Sequence, residues 1–135
     1  MTDFRYEHSV EGTGSVEVVW ELWSDVSRWP EWDPSLESVT FAGPFSVGSR
    51  GTLVIKGQGP ISFVLTEIEE RTSFVDETSV PGALIRFGHL VEELPEGRLR
   101  VSYDVVITGP AAEALGPVVT ADLPRALELL VKLAS

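Results

Sequence analysis

The sequence predicts an α+β fold, a curved seven-stranded antiparallel sheet wrapped around a long C-terminal helix, with two short helices after strand 1. Three observations predict it. Residues 83–108 carry the clearest apolar/polar alternation in the chain, in two runs split by Pro95-Glu96-Gly97, and so read as an antiparallel hairpin with one wet face. The final stretch, Gly109 to Ser135, is apolar for most of its length at helical spacing. The order strand, two short helices, six strands, long helix leaves that last helix as the only lid large enough for the sheet's apolar face.

The elements follow in order. Asp3 to Glu11 alternates, with Phe4, Tyr6, His8 and Val10 on one face, which is the pattern of a half-buried strand. Gly12-Thr13-Gly14 breaks it, and Ser15 caps a first short helix near Val16–Ser24, with Glu17 placed well for the helix dipole. A second helical turn is expected at Pro30–Pro34, with Trp29 biased to extended geometry by the proline that follows it. Trp20, Trp23, Trp29 and Trp32 fall within thirteen residues. They serve either as wedges between these helices and the sheet or as an aromatic ligand platform. Aromatic side chains at helical spacing favour the wedge, so Trp20 and Trp32 are expected to be largely buried.

Strands follow at Leu36–Phe41, Gly51–Lys56, Pro60–Ile68 and Ser73–Ser79, punctuated by Gly43-Pro44, Gly48, Gly57-Gln58-Gly59 and Pro81-Gly82. The last two are Ala83–Leu94, with Ile85, Phe87, His89 and Val91 on one face, and Arg98–Thr108, with Leu99, Val101, Tyr103, Val105 and Ile107 inward. The closing helix is expected from about Pro110 to Leu133. Its apolar arc holds Leu115, Val119, Leu123, Ala126, Leu130 and Leu133, while Val131 and Ala121 fall on the polar arc. Pro124 lacks the backbone donor that would reach Thr120, so the helix must kink or restart there. Asp122 then either caps the restarted half or points its carboxylate into whatever the helix covers, and the proline favours the cap.

Composition narrows the function classes. A chain of 135 residues suits one domain with a real core. The net charge of −11 argues against nucleic acid or an anionic membrane as partner. There are no cysteines, hence no disulfides, thiol catalysis or thiolate metal sites. No apolar run approaches the length of a membrane span and the first residues carry no apolar signal region, so a soluble, cytoplasmic protein is expected. Monomer and homodimer are both left open.

The run Ser15-x-x-x-Val19-Trp20-x-x-Trp23-Ser24-Asp25-Val26-x-x-Trp29-Pro30-x-Trp32-x-Pro34 resembles the opening of the START-like, birch-pollen-allergen-like (SRPBCC) superfamily. Further landmarks are GPFSVGSRG at Gly43 to Gly51, Gly109-Pro110 before the last helix, and Asp122-Leu123-Pro124-x-Ala126-Leu127. Within that superfamily the chain is most similar to the bacterial polyketide cyclase/dehydrase-like group. The match covers nearly the whole chain, so residues 1–135 are expected to form a single START-like domain with the helix-grip fold. The resemblance implies an apolar cavity between sheet and long helix. It does not select among the superfamily's cyclases, lipid carriers, hormone receptors and chaperone activators, because a shared fold does not carry a shared activity.

By strand alternation Tyr6, His8, Phe87, His89 and Tyr103 face inward, and the helix arc adds Leu115, Val119, Asp122, Leu123 and Leu130. These ten are the expected ligand-binding residues, with His8, His89 and Tyr103 the candidates for proton transfer in a cyclisation or dehydration. The competing reading packs each ring as core, its polar tip tied to backbone or water. The histidines lack the spacing of a metal site, and no nucleophile elbow, Walker loop or dinucleotide-binding pattern is present, so neither metal nor cofactor is expected. Three functions follow. The first is binding of a small hydrophobic or aromatic ligand, lipid, polyketide or isoprenoid-like. The others are a polyketide cyclase or dehydratase using the same cavity, and an interaction module of the heat-shock ATPase-activator type. The last requires an exposed apolar patch and a cavity filled by side chains.

Overall fold

The computed structural model describes residues 3–135. One antiparallel sheet is built from β1 (Phe4–Thr13), β2 (Leu36–Ala42), β3 (Arg50–Ile55), β4 (Gly59–Glu69), β5 (Ser73–Val80), β6 (Ala83–Leu94) and β7 (Arg98–Thr108). Its order is β1-β7-β6-β5-β4-β3-β2, so the first two strands are the two edges. The chain crosses between those edges through α1 (Val16–Ser24) and a 3₁₀ segment, Val26–Glu31. After β7 come α2 (Ala112–Thr120) and α3 (Leu123–Ala134). The register shifts between Leu36 and Ser38 in β2 and between Leu65 and Glu67 in β4. Such irregularities bend a strand and raise its twist. The seven-stranded helix-grip architecture is the one the sequence predicts.

Local details differ from the sequence reading for identifiable reasons. β1 runs through Gly12, which pairs with Leu99, instead of ending there. A Cβ on Gly12 would lie 2.5 Å from the Val131 side chain, so this glycine admits α3 against the strand. Ser15 does cap α1, its hydroxyl accepting from the Glu17 N–H at 3.2 Å. The second short helix lies earlier than Pro30–Pro34 and includes Trp29. The Trp29 indole donates to the Trp23 carbonyl at 2.9 Å and its ring lies 5.4 Å from that of Phe63, tertiary contacts that override the local bias before proline. Trp32 is buried at 4 % exposure, whereas Trp20 is only half-buried, edge-on to Phe45.

The closing helix is interrupted outright rather than kinked. Pro124 cannot donate to the Thr120 carbonyl, and Pro117 within α2 cannot donate to that of Glu113. α3 restarts with the Ala126 N–H bonded to the Asp122 carbonyl at 2.9 Å. Asp122 holds the N-cap position but its side chain makes no capping bond. The interruption also resets the helical phase. α3 taken alone buries Leu123, Ala126, Leu127, Leu130, Val131 and Ala134, a regular stripe, so Val131 is inside and Leu133 is 44 % exposed.

α3 lies on β1, and α2 approaches the same strand at Gly116, where an added Cβ would stand 2.3–2.5 Å from the Phe4 ring. Gly116→Ala is therefore expected to destabilise the fold by roughly 1–3 kcal/mol, the usual cost of overpacking. Denaturant unfolding measures it. A loss under a few tenths of a kcal/mol would mean that α2 does not sit this tightly on β1.

Candidate functional site

The sheet's inner face is not covered evenly. Over β1 and β7 it is sealed by side chains of α3, with Val101, Val105, Leu127 and Leu130 fully buried. Further along, between β3–β6 and α2, the layers part into a cleft of about 570 Å³. Leu53, Ile55, Ile61, Val80 and Ile85 form its sheet wall, and Leu115, Val118 and Val119 its helix wall. Asp33, Lys56, Gln58 and Asp122 bring polar groups to it. The cleft continues past Asp33, Leu36, Leu53, Phe87 and Leu123, which border both spaces, into an inner chamber of about 80 Å³. That chamber is lined by Trp23, Trp29, Trp32 and Phe74 together with Asp76, His89 and Tyr103.

The predicted residues divide accordingly. Leu115, Val119 and Asp122 line the cleft, His89 and Tyr103 the chamber, and Phe87 and Leu123 both. Tyr6 and His8 do take the inner face of β1 but do not border the cleft, because α2 and α3 close on that strand at Phe4 and Gly12. Leu130 is core at 0 % exposure. The sequence reading did not single out Asp33, Asp76 and Thr78. The signal for the latter two was a period of two through Phe74, Asp76, Thr78 and Val80 in β5, where Phe74 pairs with His89, Asp76 with Phe87 and Thr78 with Ile85.

The chamber's polar groups are held unusually. The His89 ring stacks on Phe74, 3.8 Å between centroids and 5° between planes. Its Nδ1 lies 3.1 Å from the Phe74 carbonyl, which can only accept, so Nδ1 carries the hydrogen and Nε2 the lone pair. Nε2 faces Oδ2 of Asp76 at 3.8 Å. Asp76 is 5 % exposed, and among the described residues no group donates a hydrogen bond to its carboxyl. Burial, aided by the neighbouring Glu77 charge, pushes the Asp76 pKa up to about 8. Burial pulls that of His89 down to about 3, against the hydrogen bond to Phe74. At neutral pH the pair is mostly a carboxylic acid beside a neutral imidazole.

Tyr103 accepts from the Trp23 indole at 3.2 Å, and its ring meets His89 edge-on at 4.7 Å. Burial raises its phenol pKa well above the usual range. Asp33 is also raised by burial, although its carboxyl accepts from the Ser35 N–H at 3.0 Å and the Ser35 hydroxyl at 2.6 Å. Thr78, 4 % exposed on the cleft wall, has a buried hydroxyl with no partner. Buried polar groups left unpaired are uncommon in folded proteins. Here the Thr78 hydroxyl is such a group, and it borders the same connected space as the Asp76 carboxyl, which faces the chamber.

A family model described as polyketide cyclase / dehydrase and lipid transport matches residues 3–135. Comparison with curated proteins gives no match. Several solved structures share the fold. The Zhui aromatase/cyclase from a Streptomyces species superposes with a TM-score of 0.81 at 15 % identity, over 98 % of this chain and 94 % of that one. Truncated norcoclaurine synthase from Thalictrum flavum gives 0.78 at 13 % identity, over 98 % and 93 %. A START superfamily protein from Mycobacterium smegmatis gives 0.76 at 14 % identity, over 96 % of each chain. At such identities the likeness is one of fold.

Proposed function

The chain belongs to the polyketide cyclase / dehydrase and lipid transport family, and from that premise we propose that it binds a small, uncharged hydrophobic molecule, polyketide, lipid or isoprenoid-like, polar end inward. The observation that carries this reading is the apolar cleft of about 570 Å³ ending in a chamber with polar groups. Ligand sites are commonly apolar spaces of this size with a few polar groups that fix the pose. An interaction module would need the space filled by side chains, and the open cleft counts against it.

Charge supports an uncharged ligand. Asp33 and Asp122 border the cleft, against Lys56 as the one lysine or arginine among its described lining residues, on a chain of net charge −11. A carboxylate carried inward would meet this field and lose its hydration. A hydroxyl or carbonyl would instead find donors and acceptors without partners.

Thermal unfolding tests the reading with 2-naphthol and 2-naphthoate. 2-Naphthol is expected to raise Tm progressively with concentration, as mass action requires, and 2-naphthoate to raise it far less. Val119→Trp, on the helix wall, is expected to abolish the shift while leaving a folded protein. A shift that persists in the folded variant would place binding elsewhere. Equal shifts from both compounds would remove the argument from charge.

A further inference from the structure

Beyond binding, and resting on that reading, we propose that Asp76 and His89 form a proton-relay pair that interconverts the keto and enol forms of a carbonyl compound held with its carbonyl in the inner chamber. A pair with a purely structural role would be expected to close to hydrogen-bond distance. Here Oδ2 and Nε2 stand 3.8 Å apart, beyond a direct bond, and both residues border the chamber. The other ring nitrogen is committed to the Phe74 carbonyl and the ring is clamped by stacking on Phe74, so the lone pair on Nε2 has a fixed direction. Tyr103, whose oxygen accepts from Trp23, keeps its own hydroxyl hydrogen for a second bond to a bound carbonyl. An acid and a base from adjacent strands, paired in register at Phe74 with His89 and Asp76 with Phe87, thus meet at the closed end of an apolar cleft.

The step balances without any further reactant. The Asp76 carboxylic acid hydrogen-bonds to the substrate carbonyl oxygen. Nε2 of His89 takes a hydrogen from the adjacent carbon; the C–H electrons become the C=C bond, and the carbonyl oxygen takes the Asp76 proton. The enol leaves an aspartate and an imidazolium; their opposite charges draw the two side chains from 3.8 Å to hydrogen-bond distance, and transfer of the Nε2 proton to Oδ2 restores both groups. The reverse path returns a proton to carbon, and in heavy water it returns a deuteron.

The probe is 2-tetralone, an aromatic ketone with exchangeable hydrogens beside its carbonyl. Incubated with the protein in heavy water, it is expected to lose its α-hydrogen NMR signals faster than in buffer, at a rate proportional to protein concentration. Asp76→Asn and His89→Asn are each expected to slow this exchange about 100-fold or more, the scale of general acid–base catalysis. His89→Asn keeps a donor for the Phe74 carbonyl, and each variant is assayed at a 2-tetralone concentration that saturates its own Tm shift, so that lost exchange is read separately from weakened binding. Should His89→Asn fail to fold, Asp76→Asn alone decides. A Tm shift with exchange no faster than buffer would overturn the relay and leave the binding reading intact. Folded variants that exchange at the wild-type rate would also overturn it. No Tm shift at any probe concentration would sink both.

Discussion

Trp23→Ala is expected to cost about 3–5 kcal/mol of folding stability, the range for deleting a buried large aromatic side chain. Trp23 is 1 % exposed and sits where α1 meets the sheet. Its ring contacts Phe74 at 5.3 Å, His89 at 5.9 Å and Trp20 at 6.1 Å, all edge-on. Truncation removes these contacts and opens a void beside the inner chamber, which surrounding side chains on strands cannot easily collapse to fill. It also removes the indole donor to Tyr103. A buried oxygen deprived of its donor carries a further desolvation cost. Urea unfolding measures the loss, and an unchanged dependence on denaturant would show that the cost lies in the folded state.

Trp20 is the matched comparison. It is one helical turn away and half-buried, so Trp20→Ala is expected to lose well under half as much. Comparable losses for the two would show that α1 is held by its outer face as much as by its inner one. The tryptophans are thus divided between roles. Trp23, Trp29 and Trp32 are buried wedges that also border the chamber, while Trp20 is half-buried and does not line it.

What the sequence made legible was the face on which each strand residue lies, and much of the site followed. Phe87, His89 and Tyr103 were placed by alternation in β6 and β7, and Leu115, Val119 and Leu123 by helical spacing. Alternation says which way a side chain points but not what covers it. Tyr6 and His8 face inward as expected, yet α2 and α3 close on β1 at Phe4 and Gly12, so these rings do not border the cleft. Gly12 read as a break because a glycine's local signal is flexibility, whereas its use here is the room it leaves for Val131. The helical wheel drawn across Pro124 misplaced Val131 and Leu133 because the interruption shifts the phase. Asp76 and Thr78 went unread for a different reason: β5 mixes acids and hydroxyls into its inward positions, and polar side chains on an inner face dilute the pattern by which that face is recognised.

Asp76 also sets the second large effect, a loss of stability on the alkaline side. The groups that bear on its carboxyl are Glu77 beside it, His89 across the chamber, and Tyr103 and Asp33, which line the same chamber. Its folded pKa, about 8, lies above the ordinary value near 3.9 for an unfolded chain. The folded state therefore holds a proton that the unfolded state has released, and stability falls as pH rises through this window. His89 works in the opposite sense. Its folded pKa, about 3, lies below an unfolded value near 6.5, so it contributes stability above pH 6.5 that is lost as pH falls. Between about pH 4 and 6.5 the two slopes largely cancel. From about pH 6.5 to 8 the His89 offset fades while Asp76 still titrates, and the protein is expected to lose on the order of 1 kcal/mol. Asp76→Asn keeps the side chain's volume and removes the titration, so its stability is expected to stay flat over that interval and to exceed that of the parent protein at pH 8. Urea unfolding at pH 6.5, 7.2 and 8 gives both curves. If the two proteins lost stability in parallel, Asp76 would be ionised in the folded state at neutral pH, and the chamber would hold a carboxylate instead of an acid.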